Sequence, residues 1–515
     1  MAPGVGAPLM ERRIRRLGIA LVVLFLLVFA QLSYVQVFAA DEIKGNPANF
    51  SRQLIAEYNV QRGSIRTSDG LLLAESVPNP DQRSRYRYLR RYPQGDLYGP
   101  ITGYYSRIYG ASAVERSMNP YLSGESPELA ISTFTDLFLG RPKRGGSLIL
   151  TIDSNLQEVA RQALGSNDGA VVAIDPTSGA LLAMYATPGF DPNVLSSGSD
   201  RDIRNAWKQL NADPERPLIA RSHQELFLPG SSFKIVTAAA ALENGHQPQE
   251  TWPNPHRLDL PLTNAELQNF GDEFCAGGAS RITLTEAFRE SCNVTFAEVG
   301  LELGPDAMSE QTQAFGLCAT DPPQRTTCDE PTITFELPFQ NGRFPEPAYF
   351  EQNDPLLAFS AIGLDNDLVN PLQMALIASS VANDGRLMAP HVVQQVRDSQ
   401  GRVIREFDGD VWGRPMSAES ARKLTEMMVA VVEGGTGYRA AIPGVQVAGK
   451  TGTATNGENE PPNAWFTAFA PADAGLRQRQ IAVSVIVLDG GSLGNEATGG
   501  QVAAPIVKQI IEAYL

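Results

Sequence analysis

Ser231 and Lys234 stand three apart in the run Leu228-Pro-Gly-Ser-Ser-Phe-Lys, directly after a Pro-Gly breaker pair and at the head of the alanine-rich stretch SSFKIVTAAAALEN. The breaker places Ser231 at a helix N-terminus, and residues three apart on a helix share a face. A serine hydroxyl is a weak nucleophile that needs a base, and no His/Asp pair accompanies this one. An amine can serve when burial or a second cation lowers its pKa. The chain contains seven lysines, so roughly half an SxxK match is expected by chance. A second match, Ser420 and Lys423, has no breaker before it and reads as the polar face of a surface helix. Ser291-Cys292-Asn293 adds a hydroxyl to relay a proton and a carboxamide to hold a peptide amide. Lys450-Thr451-Gly452-Thr453 is much rarer, with roughly 0.04 occurrences expected by chance. It lies on a strand-like run, where Gly452 lets a ligand approach the backbone and strand amides add an extended peptide to a sheet edge. Lys450 would meet a carboxylate there or depress the pKa of Lys234.

The same lysine completes a rival pattern, since Gly444-Val-Gln-Val-Ala-Gly-Lys450-Thr451 matches GxxxxGK[ST]. A P-loop needs a flexible loop after a strand and a helix N-terminus at the phosphates. Here the intervening residues read as strand, and ATNGENEPPNA, which follows, cannot be a helix. The phosphate reading fails on context.

These motifs need a scaffold. From about Gly169, AVVAID, the turn Asp175 to Gly179 and ALLAMYAT predict a hairpin. Near the C-terminus VQVAGKTGTA, AWFTAFAP and IAVSVIVL predict three more strands. Helical stretches lie between, including SSFKIVTAAAALEN, TLTEAFRESCNVTFAEVGLEL, NPLQMALIASSVAND and SAESARKLTEMMVAVVE, and VAAPIVKQIIEAYL predicts a closing helix. The fold class is therefore α/β of the α+β kind: an antiparallel sheet built from both ends of a domain, with a helical middle. Residues 41–150 are rich in Arg, Tyr, Gly and Pro, with short runs such as SIRTSDGLLLAES, and predict a small, mostly β domain.

The 515 residues allow two or three domains, and 43% apolar with 19% charged residues describes a folded chain. A net charge of −15 argues against nucleic acid as a partner. From Leu17 to Ala40 no residue is charged; Arg12, Arg13, Arg15 and Arg16 precede the span, and Asp41 and Glu42 follow it. A helix of that length crosses a bilayer, and the positive-inside bias predicts a cytoplasmic tail (1–16), an anchor (17–40) and an exported remainder. A cleaved signal peptide is the alternative, with Val37-Phe38-Ala39 as its site. Four cysteines, Cys275, Cys292, Cys318 and Cys328, fall in the exported part. They are disulfide candidates, and proximity favours Cys275 with Cys292 and Cys318 with Cys328 among three connectivities. No CxxC or ligand-spaced His accompanies them, so zinc is not expected.

LPGSSFK, SCN and AGKTGTA, in that order, resemble the active-site signature of penicillin-binding proteins and serine β-lactamases. The uncharged span, RGSIRTSDGLLLAES and NAWFTAFAP make the chain similar to class B penicillin-binding proteins, most of all the actinobacterial penicillin-binding protein A group. The resemblance covers about residues 55 to 510, with Ser232 where Thr is usual and Asn463 where His is common. It implies a pedestal or dimerisation domain over 41–150 and a penicillin-binding transpeptidase domain over 151–515. It further implies a D,D-transpeptidase that cross-links peptidoglycan stem peptides ending in D-Ala-D-Ala and is trapped by β-lactams, without cofactor or metal. Ser231 would be the nucleophile, Lys234 the base and Ser291 the proton relay. Asn293, Lys450, Thr451, Gly452 and Thr453 would bind the substrate, with the amides of Ser231 and Thr453 as oxyanion donors. A membrane glycan polymerase of the SEDS type is the implied companion, by analogy alone. A D,D-carboxypeptidase or β-lactamase, in which water resolves the ester, and a non-catalytic β-lactam sensor or scaffold remain alternatives.

Overall fold

The computed structural model describes residues 7–35, 55–129, 140, 142–261, 263–322, 332–333, 335–351, 353–455, 457, 460–473 and 479–515. Residues 1–6, the end of the uncharged span beyond residue 35, and Cys328 lie outside the described residues.

The chain divides into two compact units, one containing the N-terminal helix and residues 79–88, the other residues 61–78 and 89–515. The N-terminal helix runs Ala7–Ser33. Its segment Ile14–Ser33 is long and apolar enough to cross a membrane. The helix starts ten residues before the expected Leu17, because the arginine-rich segment is itself a good helix former and Pro8 falls in the first turn, where a missing N–H is harmless.

In the second unit, five antiparallel strands follow the order Ala448–Ala454, Asn463–Ala470, Ile481–Val487, Gly169–Ile174, Leu181–Thr187. The two ends of the predicted larger domain thus meet between Gly169–Ile174 and Ile481–Val487, with Val171 opposite Val485. These strands read as nearly unbroken apolar runs because both faces are covered. Val171, Ala173, Phe466 and Val483 pack on one side with Leu156, Ala160, Val507 and Ile510 of the helices Ser154–Leu164 and Gly499–Tyr514. Val172, Trp465, Phe469 and Ile486 face a second core that holds the helices Lys234–Glu243 and Pro371–Ala382.

A six-stranded sheet has the order Val403–Glu406, Val393–Arg397, Ser147–Leu150, Ile65–Arg66, Leu72–Pro78, Tyr88–Arg91. Leu148 pairs with Ile65 on one side and with Val396 on the other. The expected small β domain therefore shares its sheet with strands from nearly 250 residues downstream, and short helices at Gly99–Thr102, Ala113–Ser117 and Asn119–Leu122 supplement its strands. Glu115, fully buried, anchors this region between Arg62 Nε and Arg90 Nε, both at 2.6 Å. Burial pushes its carboxyl up, but the two guanidiniums together pull it below its ordinary range.

Candidate active site

Ser231 sits in a tight 3-10 turn, Gly230–Phe233, that runs straight into the helix Lys234–Glu243. The expected helix start is thus one turn tighter, and i and i+3 side chains remain on one face. Gly230 has φ 52°, and a Cβ there would come within 2.4 Å of the Thr453 carbonyl oxygen. A Cβ on Gly452 would meet the Pro229 oxygen at 2.7 Å. Glycine at both positions lets the Ser231 turn and the Lys450 strand lie backbone to backbone. Trp465 Nε1, on the neighbouring strand, donates to the Leu228 carbonyl at 3.0 Å and ties the same turn to the sheet.

Ser291-Cys292-Asn293 was expected inside one helix, and the structure corrects this. The first helix, Leu284–Glu290, opens on a capping box of Thr283 and Glu286 and stops at Ser291, which adopts a left-handed conformation (φ 63°, ψ 39°). Cys292 is extended, and the next helix begins at Asn293 and is interrupted again at Gly304-Pro305. A left-handed conformation in a non-glycine residue costs on the order of 1–2 kcal/mol. Here it turns both polar atoms of Ser291 toward the lysines. Lys234 Nζ donates to the Ser291 carbonyl (2.8 Å), to Asn293 Oδ1 (2.8 Å) and, at 3.4 Å, to Ser291 Oγ. Lys450 Nζ donates to Ser291 Oγ at 2.9 Å and to the Thr451 carbonyl at 3.1 Å.

Both lysines are fully buried. Burial lowers Lys450 to about 7. Burial and then the charge of Lys450 push Lys234 well below the usual amine range. Lys234 Nζ lies 5.6 Å from the ring centre of Phe296, and Lys450 Nζ lies 5.6 Å from that of Phe288. Ser231 Oγ has no hydrogen-bond partner among the described residues; Lys234 is held by Ser291 and Asn293 instead of by Ser231 directly. Catalytic hydrogen bonds of this kind often tighten only when substrate is bound.

The motifs share one cavity of about 400 Å³, lined by Ser231, Ser291, Asn293, Thr451 and Thr453 with Phe270 at 76% exposure. The strand Ala448–Ala454 that carries Lys450, Thr451, Gly452 and Thr453 is an edge of the five-stranded sheet. Thr451 Oγ1 hydrogen-bonds Thr436 Oγ1 at 2.7 Å, and Thr453 Oγ1 accepts from the Gly499 amide at 3.4 Å. Of the two family departures, Ser232 Oγ bonds the Pro229 carbonyl at 2.7 Å, and Asn463 Oδ1 accepts from the Asp489 amide at 3.2 Å. The rival matches are placed elsewhere. Lys423 Nζ pairs with Glu419 on an outer helix face. The GK[ST] lysine lies within a strand, with more strand after it.

Two further groups position this junction, and only the first carried no sequence signal. Asn269, 3% exposed, accepts through Oδ1 from the amides of Asn293 (2.9 Å) and Val294 (3.1 Å), while the Gln268 carbonyl accepts from Asn293 Nδ2 at 3.2 Å. It therefore caps the Asn293 helix from 24 residues away. The second is the disulfide between Cys275 and Cys292, the middle residue of the serine-asparagine motif, which is the pairing that sequence proximity favours.

Comparison with known proteins decides the family. The penicillin-binding protein transpeptidase domain matches residues 169–512. The chain belongs to the penicillin-binding transpeptidase family. The penicillin-binding protein A dimerisation domain matches residues 62–148. The chain is 39% identical over 514 residues to the peptidoglycan D,D-transpeptidase PbpA of Mycolicibacterium smegmatis, covering 98% of this chain and 99% of that one. It is 37% identical to the Mycobacterium tuberculosis protein of the same name, with the same coverage. The ceftriaxone acyl-enzyme structure of M. tuberculosis penicillin-binding protein A superposes with a TM-score of 0.80 at 36% identity, covering 90% of this chain and all of that one.

Proposed function

We infer that this family member is a membrane-anchored peptidoglycan D,D-transpeptidase acting through an acyl-enzyme on Ser231. The observation that carries the reading is the convergence of Ser291 Oγ with two buried lysines, Lys234 and Lys450, beside the Ser231 turn at an open sheet edge. Ser231 Oγ attacks the carbonyl carbon of the penultimate D-Ala of a stem peptide, and neutral Lys234 takes its proton. The amides of Ser231 and Thr453 hold the oxyanion, where one donor is typically worth about 3 kcal/mol. As the carbon–nitrogen bond breaks, Ser291 passes a proton to the departing D-Ala amine, replenished from the lysine pair. The amine of a second stem then attacks the ester, the carbon–oxygen bond breaks, and Ser231 recovers its proton. Asn293 and the backbone of Thr451 to Thr453 align the donor peptide along the strand, and Lys450 meets its terminal carboxylate. A β-lactam presents a strained amide at the same place and leaves Ser231 acylated.

The short N-terminal tail faces the cytoplasm and the catalytic domain lies outside, next to a membrane glycan polymerase. The motifs before the span support that orientation, since its arginines precede and its acidic residues follow. Labelled penicillin tests the nucleophile: Ser231→Ala abolishes covalent labelling and Ser420→Ala keeps it, and the reverse result would sink the assignment. Turnover of a D-Ala-D-Ala peptide with and without an added acceptor amine separates transpeptidation from hydrolysis; product formation that ignores the amine identifies a carboxypeptidase.

A further inference from the structure

Behind the nucleophile turn, the segment between the helices Asp354–Ser360 and Pro371–Ala382 buries four oxygen atoms that have no hydrogen-bond partner: both carboxylate oxygens of Asp367, Oδ2 of Asp365 and the hydroxyl of Ser360. Asp367 and Ser360 are completely enclosed (0% exposed). The three side chains lie together. Burial and then the charge of Asp365 push the Asp367 carboxyl well up, against weaker opposing contributions from the Ser360 hydroxyl, which also reaches the Asp365 carboxyl, and from the Asp365 backbone amide. Among the described residues neither carboxylate has an ion-pair partner; Asp365 Oδ1 receives the Asn366 side-chain amide at 3.2 Å, which also bonds the Tyr349 hydroxyl at 2.9 Å, and the Asn366 backbone amide and the Tyr349 hydroxyl also favour the Asp365 carboxylate.

A buried carboxylate without a partner is costly unless a proton or a cation neutralises it. One shared proton joins only two oxygens, whereas a metal ion takes several oxygen donors at once. The set contains only hard oxygen donors, with two formal negative charges and neither nitrogen nor sulfur. That donor chemistry suits Ca²⁺ or Mg²⁺ and not zinc or copper. We propose that Asp365, Asp367 and Ser360 form a binding site for a hard divalent cation, distinct from the catalytic cavity and set against the back of the nucleophile turn. The same segment touches the catalytic machinery: the Gly363 carbonyl accepts from the Gly230 amide at 3.0 Å, the Ala361 carbonyl accepts from Thr237 Oγ1 at 2.7 Å, and Leu364 lines the catalytic cavity.

The test uses the full chain in detergent, stripped with chelator and dialysed, then titrated with CaCl₂ or MgCl₂ at constant ionic strength, with NaCl as the control. The expected result is about one retained equivalent of Ca²⁺ or Mg²⁺ by elemental analysis and a rise of a few degrees in Tm at saturation. Asp367→Asn loses both responses while its Ser231 still labels with penicillin. Should that variant fail to fold, Ser360→Ala, which removes only the neutral donor, weakens the metal-dependent Tm shift by roughly tenfold in midpoint concentration. Stripped parent protein that binds neither cation at millimolar concentration, or binding that is unchanged in both variants, overturns the site and leaves a shared proton as what neutralises the pair.

Discussion

Ser291 Oγ lies between the side-chain nitrogens of two fully buried lysines, so the charge of Lys450 bears on Lys234. The charge of Lys450 is one of the two causes that lower Lys234, after burial itself. Replacing Lys450 by Met removes that repulsion, and the pKa of Lys234 rises. Less of Lys234 is then neutral at a given pH, so the acid limb of the penicillin-acylation profile moves to higher pH, by on the order of one unit. On the proposed role of Lys450 as the cation for the ligand carboxylate, the maximal rate also falls about tenfold or more. Stopped-flow acylation between pH 5 and 9 reads both effects, and an unmoved limb would show that Lys234 is not the base. Seven lysines in 515 residues made the Lys450 motif stand out by rarity. That Lys234 is held by Ser291 and Asn293 was not readable, because the contact spans 57 residues.

At the level of elements, the serine-asparagine motif is a junction between two helices held open by groups that are remote in sequence. Asn269 supplies the cap that no residue next to Asn293 provides. Removing a cap costs about 1 kcal/mol, and a helix start shifted by that loss carries Ser291 and Asn293 with it. Asn269→Ala should slow acylation by roughly tenfold, while Asn269→Asp, which keeps the acceptor, stays within about threefold of the parent. Equal losses in both variants would mean that the side chain acts through packing. The Cys275–Cys292 bridge closes a loop of 17 residues beside the same junction. By the chain-entropy argument such a loop is worth about 3 kcal/mol, so the Cys275→Ser/Cys292→Ser double variant should lower Tm by several degrees in a melting experiment. The apolar pattern of TLTEAFRESCNVTFAEVGLEL runs on as one helix because neither Ser nor Cys is a strong breaker. Only the lysines, the disulfide and the Asn269 cap impose the break.

Across the whole molecule, two sheets are each completed by strands far apart in the chain. Val396 lies against Leu148, and Val485 against Val171. The region that carries the dimerisation-domain match depends on Glu115, which binds two buried guanidiniums. Glu115→Ala leaves both arginines charged and unpaired, which typically costs about 3–5 kcal/mol. Calorimetry should show an early unfolding transition in that variant, and an unchanged melt would show that water replaces the carboxylate. The expected β content of residues 41–150 was partly legible from SIRTSDGLLLAES, but its borrowed strands at 393–406 were not. A short amphipathic strand names no partner until a sheet edge is available.

By itself the sequence determined the family, the three motifs and their order, the apolar N-terminal helix and the five strands of the catalytic sheet. Each of these is written locally: in rare residues at fixed spacing, or in an apolar run of the right length and period. The tertiary structure alone decided the left-handed turn at Ser291, the side of Ser291 on which each lysine lands, the Asn269 cap and the enclosed oxygens of Asp365, Asp367 and Ser360. These depend on side chains brought together across tens to hundreds of residues, and on burial, which changes an amine or a carboxyl without leaving a mark in the residues beside it.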